Sequence, residues 1–510
     1  VIKVHTAYLS GIEARPAQVE VSVSRGIGYY LIGLPDAAVR ESSYRIAAAL
    51  SASGYRIPGK RITLNLAPAD IRKSGSSFDL ALALGILLGT GQLERTSIAD
   101  TVFVGELGLD GKLGRAQALL AVAEMCRKQG FKTLIVPKKQ MGLARHIQGV
   151  EVHALENLQE VLHYLKNPSA FTAVQQKKWQ PTNSGTVDVD FSDIRGQYFA
   201  KRGLEVAAAG GHNALLLGPP GVGKTLLAKA IQGILPPLHE EEVLEISRIH
   251  SFASDEPERL LEERPFRSPH HSSSRAALLG SGYYPKPGEL TLAHRGVLFM
   301  DELPEFQRSV LELLREPMEE GLVRISRGHS RLVFPADFIW IGSANPSPDG
   351  YFYSEERPPR SSPAEIRRYL NKLSGPLLDR VDLHIELNDK PFVEQSEKDL
   401  HESSETVRKR VVLARARQSK RFEELSGIQC NAQLSGKQVR YFCKLDQKCK
   451  SLINNAVEHL ALSVRSHDRI LKLAMTLCDL EGAERVSTQH LSEAIRFRIM
   501  DRTNWLNPLA

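Results

Sequence analysis

Gly218, Gly221, Gly223, Lys224 and Thr225 fall within the octapeptide Gly-Pro-Pro-Gly-Val-Gly-Lys-Thr, residues 218–225, whose spacing is that of a phosphate-binding P-loop. The glycines let backbone N–H groups, that of Val222 among them, close around an anion without side-chain clash. An apolar run, 214–217, precedes the loop and a helical pattern, 226–231, follows it. Such a helix points its positive end at the same phosphates. Lys224 then reaches the β- and γ-phosphates, and the Thr225 hydroxyl takes part in a Mg²⁺ site. A glycine-rich turn without a ligand is the alternative, and strand, loop and helix together argue against it. The chain is expected to bind a nucleoside triphosphate.

Hydrolysis needs a second, acidic strand. Residues 297–302, Val-Leu-Phe-Met-Asp-Glu, supply four apolar residues for a buried strand and two carboxylates at its end. Asp301 can hold the Mg²⁺ shell, and Glu302 can polarise a water for attack on the γ-phosphate. A third strand pattern, 338–342, runs into Ser343-Ala344-Asn345-Pro346. Asn345 can orient that water, although an Asn-Pro pair by itself is more often a turn.

The elements that must position these groups divide the chain into four stretches. Residues 1–166 alternate strand and helix patterns and predict a compact α/β domain. Within it, 102–107 followed by Asp110-Gly111 reads as a hairpin. Residues 167–190 collect Pro, Ser, Thr, Asn and Gln without an apolar period and read as a linker. Residues 191–391 hold the nucleotide-binding α/β core, and 392–510 are helical. At 510 residues, about three domains are expected. No apolar run approaches the ~18 residues of a membrane helix, and no signal peptide is visible. Five cysteines without a C-x-x-C pair point to a reducing cytoplasm. The net charge of +7 leans toward polyanionic partners.

The order of these motifs resembles the AAA+ superfamily. Residues 375–383, Gly-Pro-Leu-Leu-Asp-Arg-Val-Asp-Leu, resemble the segment carrying the arginine finger, which makes Arg380 the group that enters a neighbouring subunit's site. An intrachain ion pair with Asp379 or Asp382 is the alternative. Ser463-Val464-Arg465 resembles sensor 2, so Arg465 is expected at the γ-phosphate, with Arg469 one turn on as the substitute. The resemblance implies a homo-oligomer, most readily a hexameric ring.

Residues 193–197, 207–213 and 264–271 resemble the magnesium-chelatase-like branch. With the N-terminal stretch included, the chain resembles the ComM/YifB family, the branch-migration helicases of bacterial natural transformation. That resemblance implies ATP and Mg²⁺ as cofactors, and DNA (single-stranded and branched) and a recombinase as partners. No zinc is expected, because the segment after Asn345 has none of the cysteine pairs that many relatives carry there. The N-terminal domain resembles the Lon protease domain. Ser77 lies near the nucleophile position, but the helix that should offer a lysine, 116–122, has none, so proteolysis is not expected. Lys60, Arg61, Arg72 and Lys73 read as a basic face, or equally as solvated surface.

Two insertions resemble the pore hairpins of this branch. One, 282–289, offers Tyr284 for stacking on bases and Lys286 for phosphates; the other, 323–331, offers Arg324, Arg327 and Arg331. Solvated hairpins, or arginines paired to nearby acids, are the bland alternatives. A motor acting on protein, of the magnesium-chelatase or MoxR kind, is the rival function, since the motor core is shared.

Overall fold

The computed structural model describes residues 1–498 except 74, 95–97, 178, 180–187, 254–258, 282–285, 328–329, 351–360, 374, 388–401, 426 and 461; at 327, 330, 331 and 363 it describes the backbone alone. The chain forms two compact units. One holds 1–181, 239–261 and 282–287, and the other holds 182–238, 262–281 and 288–510.

The first unit is built on a seven-stranded mixed sheet. Glu13–Ser24 shows why it forms: Val19 and Val21 are buried while Ser22 faces out, a period-two pattern that buries one face. This strand pairs antiparallel with both Ile2–Ser10 and Arg61–Ala67. Beyond Ile2–Ser10 the strands Thr101–Phe103, Thr133–Pro137 and Glu151–Leu155 continue in parallel. The helix Asp79–Thr90 is apolar on all sides and lies in the core on one face, while Leu119–Gln129 packs in a second apolar cluster. Gly85 permits this closeness, because a Cβ there would stand 2.7 Å from Val21 Cγ2.

In this unit one expectation holds only in part and another fails. Of the hairpin expected from 102–107 and the turn Asp110-Gly111, only the turn end forms: Leu107 bridges Leu113 antiparallel, Gly108 N–H donates to Lys112 O and Gly114 N–H to Glu106 O, both at 2.8 Å. Thr101–Phe103 already has parallel partners on both sides, which leaves its edges no room for a hairpin mate. Lys73 is no part of a basic face: it is 0% exposed, its Nζ donates to Ile71 O at 2.6 Å, and it lies over the Tyr8 ring. Burial lowers its pKa. Ser77 is occupied otherwise too, its Oγ accepting the Gln117 N–H at 3.2 Å.

The second unit carries a five-stranded sheet in the order Leu383–Glu386, Ala214–Leu217, Ile339–Ala344, Val297–Met300, Phe266–Arg267, every neighbour parallel. The three central strands, Ala214–Leu217, Ile339–Ala344 and Val297–Met300, are buried along their whole length, as a sheet covered on both faces requires. The helices of the C-terminal stretch, Ser404–Arg421, Gly436–Phe442, Gln447–Leu460, Val464–Glu481 and Thr488–Arg496, share one apolar core with this sheet. Among the described residues no helix is long and apolar enough to cross a membrane.

Candidate nucleotide site

Three adjacent parallel strands end at the same edge of the sheet, which is where such sheets place ligands. Ala214–Leu217 runs into the P-loop, Val297–Met300 into Asp301 and Glu302, and Ile339–Ala344 into Asn345. Gly221 and Gly223 have φ of +82° and +88°, so a side chain there would strain the backbone, and no heavy atom lies within 4 Å of where their Cβ atoms would stand. The loop is thus shaped by backbone conformation and open on that side.

Lys224 uses all three of its ammonium donors inside the loop. Nζ donates to Gly218 O at 2.7 Å, Pro219 O at 2.8 Å and Asn345 Oδ1 at 2.8 Å. Burial lowers its pKa, while Asp301 and Glu302 work in the opposite direction. The Thr225 hydroxyl donates to Asp301 Oδ2 at 2.8 Å. Ser343 Oγ donates to the other oxygen of Asp301 and accepts the Glu302 N–H at 3.1 Å. Glu302 is exposed and held at φ +52°, a left-handed conformation that costs a non-glycine residue about 1–3 kcal/mol. The residues fit a Mg²⁺–nucleotide: Thr225 and Asp301 offer adjacent hard oxygens, and the space beside Gly221 and Gly223 is open.

Arg380 and Arg465 belong to the other edge. Arg380 precedes Leu383–Glu386, which runs parallel and in register with Ala214–Leu217, Leu383 facing Ala214. At ~3.3 Å per residue, the sheet separates Arg380 from its own P-loop by roughly 10 Å or more. It pairs with Glu319 and donates to Pro376 O at 2.8 Å, not with Asp379 or Asp382. Arg465 stands 3.9 Å from Asp379, beside Arg380 in sequence, and Arg469 is taken by Asp382.

The strands Leu322–Arg327 and Ser330–Pro335 form an antiparallel hairpin, with Arg327 opposite Ser330 near its tip. Arg324 is held by Glu316 and, at 2.6 Å, by Glu320. Arg327 and Arg331 are placed by their backbone only. Lys286 is exposed on the strand Lys286–Pro287. Tyr284 lies outside the described residues.

Three family models match the chain. "Magnesium chelatase, subunit ChlI" matches residues 190–395, "Subunit ChlI of Mg-chelatase" matches 19–140, and "Magnesium chelatase, subunit ChlI C-terminal" matches 401–498. The YifB protein of Escherichia coli is 41% identical over 502 residues, 98% of this chain and 97% of that one. The competence protein ComM of Haemophilus influenzae is 40% identical over 497 residues, 96% of each chain. This chain belongs to the ComM/YifB family. Similarity to the magnesium-chelatase 67 kDa subunit of Chlorobaculum parvum is lower and local, 29% over 163 residues, 31% of this chain and 24% of that one.

Three residues complete the site of this ComM/YifB chain without a signal in its sequence. Ser343 braces Asp301 and Glu302 together. Tyr369 receives the Asn345 N–H, and burial, then Glu305, pushes its phenol up to about 12. Asp382 ties the segment that leads into Leu383–Glu386 to the rest: it accepts from Asn213 N at 3.0 Å, pairs with Arg469 of the helix Val464–Glu481, and lies 3.6 Å from His212 Nδ1. Burial by itself would raise this carboxyl, but Arg469, His212 and Lys472 hold it below the ordinary range. Asp382→Ala therefore leaves the half-buried Arg469 guanidinium without its buried carboxylate, and a loss of about 3 kcal/mol is expected in urea unfolding. The sign with pH follows from the lowered pKa. The contribution is complete at neutral pH and is lost as pH falls below about 4, so the gap between wild type and variant narrows there.

Proposed function

We propose that this protein is an ATP-driven ring motor that translocates on DNA and promotes branch migration, in the setting of competence that the name of its Haemophilus relative suggests. The observation that carries the reading is the split of one hydrolysis apparatus between two edges of a single sheet. Lys224, Thr225, Asp301, Glu302 and Asn345 gather at one edge. Arg380 and Arg465 gather at the other, where they suit a neighbouring copy's site better than their own.

ATP entering the loop draws Lys224 from the carbonyls of Gly218 and Pro219 toward the phosphates. Thr225 and Asp301 would hold a Mg²⁺ ion, which would neutralise phosphate charge. Glu302 takes up a proton from the attacking water, and Asn345, freed of Lys224, orients that water. Arg380 of the next copy stabilises charge developing on the transferred group, with Arg465 beside it. The N-terminal domain, read as Lon-like, serves as a scaffold for ring assembly or for DNA engagement.

The DNA half of the reading rests on the hairpin carrying Arg324, Arg327 and Arg331, and on Lys286 and Tyr284. Cations on a pore loop would grip the phosphate backbone without regard to sequence. Arg327→Ala/Arg331→Ala is expected to lower DNA affinity and to reduce the slope of log K against log salt by roughly 1–2. DNA-stimulated ATP turnover should fall while turnover without DNA persists. Unchanged affinity, salt slope and unwinding would remove the hairpin from the account.

A further inference from the structure

Arg380 is not loose in the separate chain. Its Nη2 meets the Glu319 carboxylate, and its Nη1 donates to Pro376 O at 2.8 Å. The arginine side chain is only 12% exposed, whereas that of Glu319 is 54% exposed. A guanidinium held this way must leave one carboxylate before it can reach a phosphate elsewhere. A terminal phosphate is the stronger acceptor, with more charge spread over three oxygens, so the exchange runs toward the phosphate once one is offered.

Glu319 lies on the short helix Arg315–Glu320. Two other carboxylates of that helix, Glu316 and Glu320, are occupied by Arg324. Neutralising Glu319 alone therefore leaves the helix joined to the hairpin strand that follows it. Glu319 is held below the usual carboxylate range first by its bond to Arg380, and also by Arg465 and Arg469. Arg465 and Arg469, whose own partners are Asp379 and Asp382, thus add positive field around the Arg380–Glu319 pair.

We propose that Glu319 is a positioning residue for Arg380: it parks the finger against its own chain and yields it when a neighbouring copy presents a bound triphosphate. The proposal rests on the reading of Arg380 as a finger acting in another copy. A merely structural ion pair and a parking pair differ in what they oppose, the first unfolding and the second assembly.

The test is ATP turnover per subunit of the full chain, measured across protein concentration with DNA present, for wild type, Glu319→Gln and Arg380→Ala. Glu319→Gln is expected to reach half-maximal turnover at a protein concentration about three- to tenfold lower, the range of one weak to moderate ion pair, with the same plateau. Arg380→Ala is expected to lose the plateau at every concentration. A Glu319→Gln curve that superimposes on wild type, shifts the other way, or keeps its midpoint with a lower plateau overturns the parking role, provided Arg380→Ala has collapsed. An Arg380→Ala curve equal to wild type overturns the finger reading itself and takes the parking role with it.

Discussion

Lys224→Ala is expected to abolish ATP turnover, by ~10²-fold or more, the scale of removing one positioned charge stabiliser from a transition state. The reason is visible in how the lysine is held. Its ammonium joins the P-loop carbonyls to Asn345 across two neighbouring strands, so one side chain touches both the loop proposed to bind phosphate and the group proposed to orient water. The variant should also lose nucleotide affinity, because the charge is gone and the carbonyls of Gly218 and Pro219 are left facing the phosphates. Turnover in single-cycle and steady-state assays checks this. The fold should persist, since Lys224 buries no apolar core and begins its helix at a solvent-open loop.

Arg380→Ala is expected to be at least as severe, about 10³-fold in turnover, with nucleotide binding retained. The two variants fail at different places, and that difference can be used. A ring containing both has interfaces at which an intact P-loop from Arg380→Ala meets an intact finger from Lys224→Ala. Mixing the two inactive proteins should therefore restore a fraction of wild-type turnover. No restoration at any ratio would mean that Arg380 works within its own chain or not at all.

The parts of this site legible in the sequence are those whose chemistry is local. The glycines, Lys224 and Thr225 are fixed by a spacing within eight residues, and Asp301, Glu302 and Asn345 by apolar runs that end in polar groups. Parallel strands then bring those ends together, as the strand patterns imply. What the sequence hides depends on contacts between distant residues. Glu319 and Arg380 are 61 positions apart, and nothing in either neighbourhood marks them as partners. Ser343 reads as the tail of a strand until its hydroxyl is seen between Asp301 and Glu302. Lys73 misleads for the opposite reason. A lysine in a basic stretch reads as surface, yet this one is enclosed beside Tyr8 because a backbone carbonyl satisfies its ammonium. The hairpin expected from 102–107 and Asp110-Gly111 keeps only its turn end, because Thr101–Phe103 is taken by parallel partners that lie far away in sequence. Of the hairpin arginines, Arg324 shows that a cation chosen for DNA can already be engaged with carboxylates of its own chain.

The central claim is that hydrolysis at Lys224 moves DNA. It is tested most directly by branch migration of a labelled three-stranded DNA with ATP, comparing wild type and Lys224→Ala. The account predicts ATP-dependent exchange of the labelled strand by wild type and none by the variant. Robust ATP hydrolysis by wild type that DNA neither stimulates nor couples to strand exchange would contradict it, and would favour a motor that remodels protein.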